Sequence, residues 1–195
     1  MKADIILAGV GGQGILTIAA TIGIAAVSDN LFLKQSEVHG MSQRGGDVQS
    51  HLRISDKPIY SDLISKGTAD IILSVEPMEA LRYLPYLKKG GYVITNTVPF
   101  ANIPNYPDLD EILEDINKLE HKVALDAEKI AKDAGSSRAS NIVMLGAAIP
   151  FIGLSIEQIE KGIKKLFGPK GDDVVNLNLK ALKMGYDFAL NKIKT

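Results

Sequence analysis

The chain has no cysteine and no tryptophan among its 195 residues. Without a thiol it forms no disulfide, offers no thiolate nucleophile, and ligates neither zinc nor an iron–sulfur cluster through cysteine. Charge of one sign is not in excess: 22 Lys and Arg stand against 23 Asp and Glu, for a net charge of −1. That balance gives no electrostatic footprint for nucleic acid and no acidic tail. Histidine is scarce, and His39, His51 and His121 lack metal-ligand spacing, so no metal site is expected. No apolar run approaches the length of a membrane span, and the residues after Met1 reach a glycine turn too soon for a secretory leader. These absences predict a cytoplasmic protein that binds neither nucleic acid nor membrane.

What is present is an apolar fraction of 46%, enough to bury a core, in a length that suits one domain. Residues 4–8 are a compact apolar run that predicts a buried strand, and residues 15–27 are apolar and Ala-rich, predicting a mostly buried helix. A second strand is expected over 31–35, a polar loop over 36–46, and a third strand around Val48, Ser50, Leu52 and Ile54 with Gln49, His51 and Arg53 on a wet face. Strands are expected again at 70–75, 92–95 and 122–125. Between them lie a helix opened by Pro77 and closed before Gly90-Gly91, an irregular stretch carrying Pro99, Pro104 and Pro107, and a helix over 108–119. From 127 onward the pattern is helical, in segments 127–134, 139–151, 155–167 and 172–192, with Ser155 and Gln158 spaced as a capping box. The class is α/β: a Rossmann-like three-layer domain over 1–195, its sheet mainly parallel with one antiparallel pair, its part from about 136 onward helical.

Gly9-Val10-Gly11-Gly12-Gln13-Gly14 fits G-x-G-x-x-G between a strand and a helix. Gly9 allows a tight turn, Gly11 lets backbone N–H groups approach a pyrophosphate, and Gly14 lets the helix pack close to the strand. The helix N-terminus adds the positive end of its dipole. The same pattern also serves a tight crossover that binds nothing. A dinucleotide reading lacks its acidic ribose partner at the end of strand two, where only Glu37 is available. The link to strand three is too short for a crossover helix, so strands two and three should be antiparallel neighbours.

The segment Ser36-Glu-Val-His-Gly-Met-Ser-Gln-Arg-Gly-Gly46 places His39 and Arg44 among glycines. If strand two lies beside strand one, this loop stands next to the glycine turn at the edge where α/β sheets gather ligands. That composition suits a loop that closes over an anion or docks on a partner, with the Arg44 guanidinium as its charged group. A plain solvated connection is the alternative. Asn96 follows a strand at the same edge, and Asn141 precedes an apolar run and would bond to backbone there. Glu76 and Glu79 read as acids at the favourable end of a helix dipole.

Gly11-Gly-Gln-Gly14, Glu37-Val-His-Gly-Met-Ser-Gln-Arg-Gly-Gly46, Leu52-Arg-Ile-Ser55 and Asn141-Ile-Val-Met-Leu-Gly-Ala147 occur in this order, and together they resemble the gamma domain of 2-oxoacid:ferredoxin oxidoreductases. The Val-His-Gly-Met-Ser-Gln-Arg-Gly-Gly version resembles most the beta subunit of the indolepyruvate-type enzymes. The resemblance runs from about residue 4 to about residue 190. It implies a non-autonomous subunit of a complex that decarboxylates an aryl 2-oxoacid, forms an acyl-CoA and reduces ferredoxin. Thiamine diphosphate and 4Fe-4S clusters are then expected on a large partner subunit. For this chain it implies no catalytic residue and no tightly bound cofactor, with coenzyme A at the glycine loops. The candidate contacts are Gly9, Gly11, Gly12, Gln13, Gly14, His39, Arg44, Gly45, Gly46 and Asn96. Pyruvate, 2-oxoglutarate or a branched-chain 2-oxoacid are alternative substrates. The rival readings are a free-standing nicotinamide- or flavin-binding enzyme and a scaffold that binds no small molecule.

Overall fold

The computed structural model describes residues 1–39, 45–101 and 103–194, with the backbone alone at His39. Its strands are β1 (Lys2–Val10), β2 (Phe32–His39), β3 (Asp47–Ser55), β4 (Ala69–Ser74), β5 (Leu87–Asn96) and β6 (Lys122–Leu125). Its helices are α1 (Ile15–Ser28), α2 (Pro77–Arg82), α3 (Leu109–Asn117), α4 (Ala127–Ala134), α5 (Ser140–Ile152), α6 (Ile156–Phe167) and α7 (Asp172–Ile193). The six strands form one sheet in the order β2-β3-β1-β4-β5-β6. β1, β4, β5 and β6 are mutually parallel, and β3 runs antiparallel to both β1 and β2. The α/β class and its antiparallel pair are as the sequence predicts.

β1 sits near the middle of this sheet, and its residues from Ala3 onward are all buried. A strand covered on both faces reads as a continuous apolar run, which is why residues 4–8 stand out. Ile5 and Leu7 join the larger core with α1, α4, α5, α6 and α7, while Ile6 and Ala8 join a smaller core with Ile64, Ala80 and Tyr83. Asp4, 1% exposed, is the exception. Burial pushes its carboxyl up, but Arg53 (Nε to Oδ1, 2.7 Å) and Lys2 hold it below the ordinary 3.8. Arg53 also donates to the carbonyls of Ser61 and Leu63, both at 3.0 Å, and so ties down the loop after β3.

α5 packs centrally between the sheet and α7. The two helices meet backbone to backbone: a Cβ on Gly146 would stand 2.1 Å from the carbonyl oxygen of Leu182, and one on Gly185 2.0 Å from that of Val143. The Ser155–Gln158 capping box is present at the start of α6.

Four expectations need correction. β2 does not end at Gln35; Ser36–His39 continue the hairpin, with Glu37 opposite Ser50 and Val38 opposite Gln49. Polar residues are tolerated there because β2 is the edge strand. β2 is not beside β1, since β3 takes that place by pairing over its whole length from Lys2↔Ser55 to Val10↔Asp47. Gly90-Gly91 does not close a helix: α2 ends at Arg82, and the glycines lie inside β5. Gly90 has φ +75°, and the register with β4 shifts between Ala69 and Ile71, the behaviour of a bulge. Finally, His51 is not wet. It is 3% exposed, its Nδ1 accepts from the N–H of Ile64 at 2.9 Å, and its ring meets Tyr86 edge-on.

Candidate functional site

The C-terminal ends of the parallel strands form one edge of the sheet, and the glycine turn lies there between β1 and α1. Its geometry is set by side chains that the turn holds against itself. Gln13 Oε1 accepts from the N–H of Val10 at 2.8 Å, and Gln13 Nε2 donates to the carbonyl of Val75 at 3.4 Å, so one side chain joins the ends of β1 and β4. Gly12 (φ +104°) and Gly14 (φ +82°) occupy the left-handed region, where glycine alone is unstrained. A Cβ on Gly14 would also fall 2.5 Å from Asn141 Nδ2, which donates to the Gly14 carbonyl at 3.2 Å. Asn141 therefore bonds to backbone at this edge, as expected from the sequence. Gly9 is needed for space: its Cβ would meet Val75 Cγ2 at 2.4 Å.

The second glycine pair is brought against the first. The Gly11 N–H donates to the Gly46 carbonyl at 2.9 Å, and the Gly45 N–H donates to the Gly11 carbonyl at 3.2 Å. Both backbone groups of Gly11 are thus spent on extending the β1–β3 ladder beyond Val10↔Asp47. Beside this junction opens a cleft of about 370 Å³, lined by Val10, Gly11, Gly12, Gly14, Ile15, Leu16, Glu37 and Val48. A Cβ on Gly12 would meet nothing within 4 Å. The described lining holds one charge, Glu37, and no cation. Arg44 lies outside the described residues, as does the side chain of His39.

Asn96 serves a different purpose. It is 5% exposed, donates to the carbonyls of Val75 (3.4 Å) and Val98 (3.2 Å), and accepts from the N–H of Ala127 at 3.1 Å. It fastens the ends of β4 and β5 to the start of α4. Across the sheet, Glu76 caps α2 through the N–H of Glu79 at 2.9 Å and accepts from the Tyr106 hydroxyl. This fits the reading of Glu76 as a helix-start acid, with the added duty of holding the proline-rich stretch. Burial pushes the Glu79 carboxyl up despite the Arg82 guanidinium beside it, and burial pushes Tyr83 up to about 12. Among the described residues no cluster of His, Cys, Asp and Glu could hold a metal ion, and no helix is long and apolar enough to cross a membrane.

The structure places Gly9, Gly11, Gly12, Gln13 and Gly14 in one turn and sets Gly45 and Gly46 against it through the β1–β3 pairing, not through the expected adjacency of β2 and β1. The sequence missed Leu16, Glu37 and Val48 as cleft walls. The signal for Leu16 was available: an apolar residue at the open side of a helix that carries no charge at all.

Residues 4–188 match the family model described as pyruvate ferredoxin/flavodoxin oxidoreductase. The chain is 41% identical over 98% of its length to an indolepyruvate oxidoreductase subunit IorB of Archaeoglobus fulgidus, of which it covers 97%. The gamma subunit of a keto/oxoacid ferredoxin oxidoreductase from Geobacter sulfurreducens superposes with a TM-score of 0.71 at 28% identity, over 97% of this chain and 99% of that one. In fold the chain also matches a 2-oxoglutarate:ferredoxin oxidoreductase of Magnetococcus marinus with 2-oxoglutarate, coenzyme A and succinyl-CoA bound, with a TM-score of 0.77 at 24% identity; the match covers 97% of this chain and 31% of that longer one. With the family's sequence pattern present from β1 to α7 and its fold reproduced throughout, the chain belongs to the pyruvate ferredoxin/flavodoxin oxidoreductase family.

Proposed function

We propose that the chain is the small, non-catalytic subunit of a cytoplasmic indolepyruvate-type 2-oxoacid:ferredoxin oxidoreductase, acting as one unit over residues 1–195. The observation that carries this reading is the near-full-length kinship with an indolepyruvate oxidoreductase subunit at 41% identity. The large partner holds thiamine diphosphate and the 4Fe-4S clusters, because a chain without cysteine has no thiolates to offer a cluster. In the complex an aryl 2-oxoacid loses CO₂, its acyl group passes to the coenzyme A thiol, and two electrons reduce ferredoxin.

The glycine loops give this chain its share of the site. The cleft at Gly11, Gly12, Gly14 and Val48 is largely apolar and without a cation in its described lining. Such a wall suits the slender uncharged arm of coenzyme A better than its phosphates. Gly9, Gln13, Gly14 and Asn96 set the shape of the edge, and Gly45 and Gly46 close it.

Co-expression with a thiamine- and cluster-binding subunit tests the reading. The complex should reduce ferredoxin in a manner dependent on both indolepyruvate and coenzyme A, and the isolated chain should be silent. Oxidation of indolepyruvate by the isolated chain, or full turnover by the large subunit without it, would refute the proposal.

A further inference from the structure

α1 contains no charged residue, yet it is not enclosed. Ile15, Ile18, Ala19, Ile22, Ala25 and Ala26 face the core. Leu16, Ala20, Ile24 and Val27 fall on the opposite side at helical spacing. Its two ends are the most open, with Leu16 55% and Val27 58% exposed. Thr17 and Ser28 are the only polar residues on that side, and an outward face without a single charge is anomalous on a solvated helix. The other helices with open faces carry charge there: Asp110, Glu114 and Lys118 border α3, and Glu157, Lys161 and Lys164 mark α6.

The stripe continues in two directions. At its start, Leu16 is also a wall of the glycine-loop cleft. Alongside it runs β2, whose Leu33 packs against Gly23 of α1 and whose outer edge has no strand beside it among the described residues. An uncharged helix face next to an open strand edge has the composition of a permanent interface, which is apolar and depleted of charge at its centre. The occupant follows from the chemistry of the proposed site. Coenzyme A held in the cleft must reach thiamine carried by another chain, so that chain must border the cleft. The apolar face that borders it is this one. A domain of the same fold also occupies only 31% of a longer chain in the Magnetococcus marinus enzyme, so two-thirds of that chain lies outside this domain.

We infer that the α1 stripe and the β2 edge are the surface on which the large thiamine-bearing subunit docks, through an apolar face that also roofs the cleft. This rests on the functional reading above.

The test is the dissociation constant of the complex, measured with the purified large subunit. Val27→Glu is the decisive variant: it lies about 16 Å along the helix axis from Leu16, too far to disturb coenzyme A in the cleft. It should weaken association at least tenfold while leaving the unfolding midpoint of the isolated chain unchanged. Leu63→Glu, an equally exposed leucine on the loop after β3, is the control and should leave association as it was. Amide exchange in α1 and β2 should slow when the large subunit is added. If Val27→Glu and wild type bind the large subunit equally, the surface is misassigned. If Val27→Glu instead abolishes self-association of the isolated chain, the face belongs to a second copy and the inference is overturned. If wild type fails to bind the large subunit at all, the functional reading itself is lost.

Discussion

α5 and α1 are the two described helices without a charged residue, and they meet opposite fates. α5 is covered from all sides, by the sheet, by α4 and by α7, and nine of its residues are buried. α1 is covered by the sheet, by α6 and at one end by α5, and keeps an uncharged stripe open. Absence of charge therefore marks a helix that must be covered, and does not say by what. For α5 the cover is this chain's own C-terminal helix. For α1 it has to come from elsewhere.

The sharpest way to break that contrast is at the α5–α7 contact. Gly146→Leu would drive a side chain into the backbone of Leu182, and neither helix can move without opening the core. Loss of folding is expected, at least about 3 kcal/mol, seen as loss of a cooperative urea transition. A stable Gly146→Leu chain would mean that α7 is only loosely held. Next, Ile142→Ala in α5 should cost about 2–5 kcal/mol in urea unfolding, whereas Leu16→Ala in α1 should change the isolated chain by no more than about 0.5 kcal/mol. Equal losses at both sites would erase the distinction between covered and open helices.

Smaller effects separate the two glycines of the turn. Gly14→Ala adds backbone strain to a collision with Asn141 and should cost about 2 kcal/mol or more. Gly12→Ala meets open space, so only the strain of about 1 kcal/mol remains, and the alanine methyl should raise KM for coenzyme A in the complex. Tyr106→Phe removes a hydroxyl bond to the buried Glu76 and should cost about 1–2 kcal/mol in thermal unfolding.

The smallest effect is a pH slope from His51. Burial lowers its pKa below 6.5, so just below that pH the unfolded chain takes up a proton that the folded chain refuses. Stability should fall as pH drops below 6.5 and level off once the folded His51 is protonated too. His51→Gln should remove that contribution, and an unchanged slope would assign it to other groups.

The core strands and the helices beyond α2 were legible because their signals are local: β1 is apolar on both faces, and Ser155 and Gln158 cap α6 within one turn. Within the site, the glycines of the first turn were legible for the same reason. Glu37 and Val48 were not, since their place in the cleft depends on a hairpin folding back over β1, and nothing within a few residues of either records that. Gly90-Gly91 misled because a glycine pair ends a helix as readily as it bulges a strand; only the register with β4 distinguishes them.

By itself the sequence determined the α/β class, the glycine turn, the absence of thiolate chemistry and the resemblance that led to the family. All of these follow from residue type and short-range spacing. Tertiary structure alone decided that β3 and not β2 pairs with β1, that Gly11 spends both backbone groups on Gly45 and Gly46, and that the two uncharged helices end differently. Hydrogen-bond pairing and burial are relations between distant segments, and a helix with no charge carries no record of which of its faces the rest of the chain will reach.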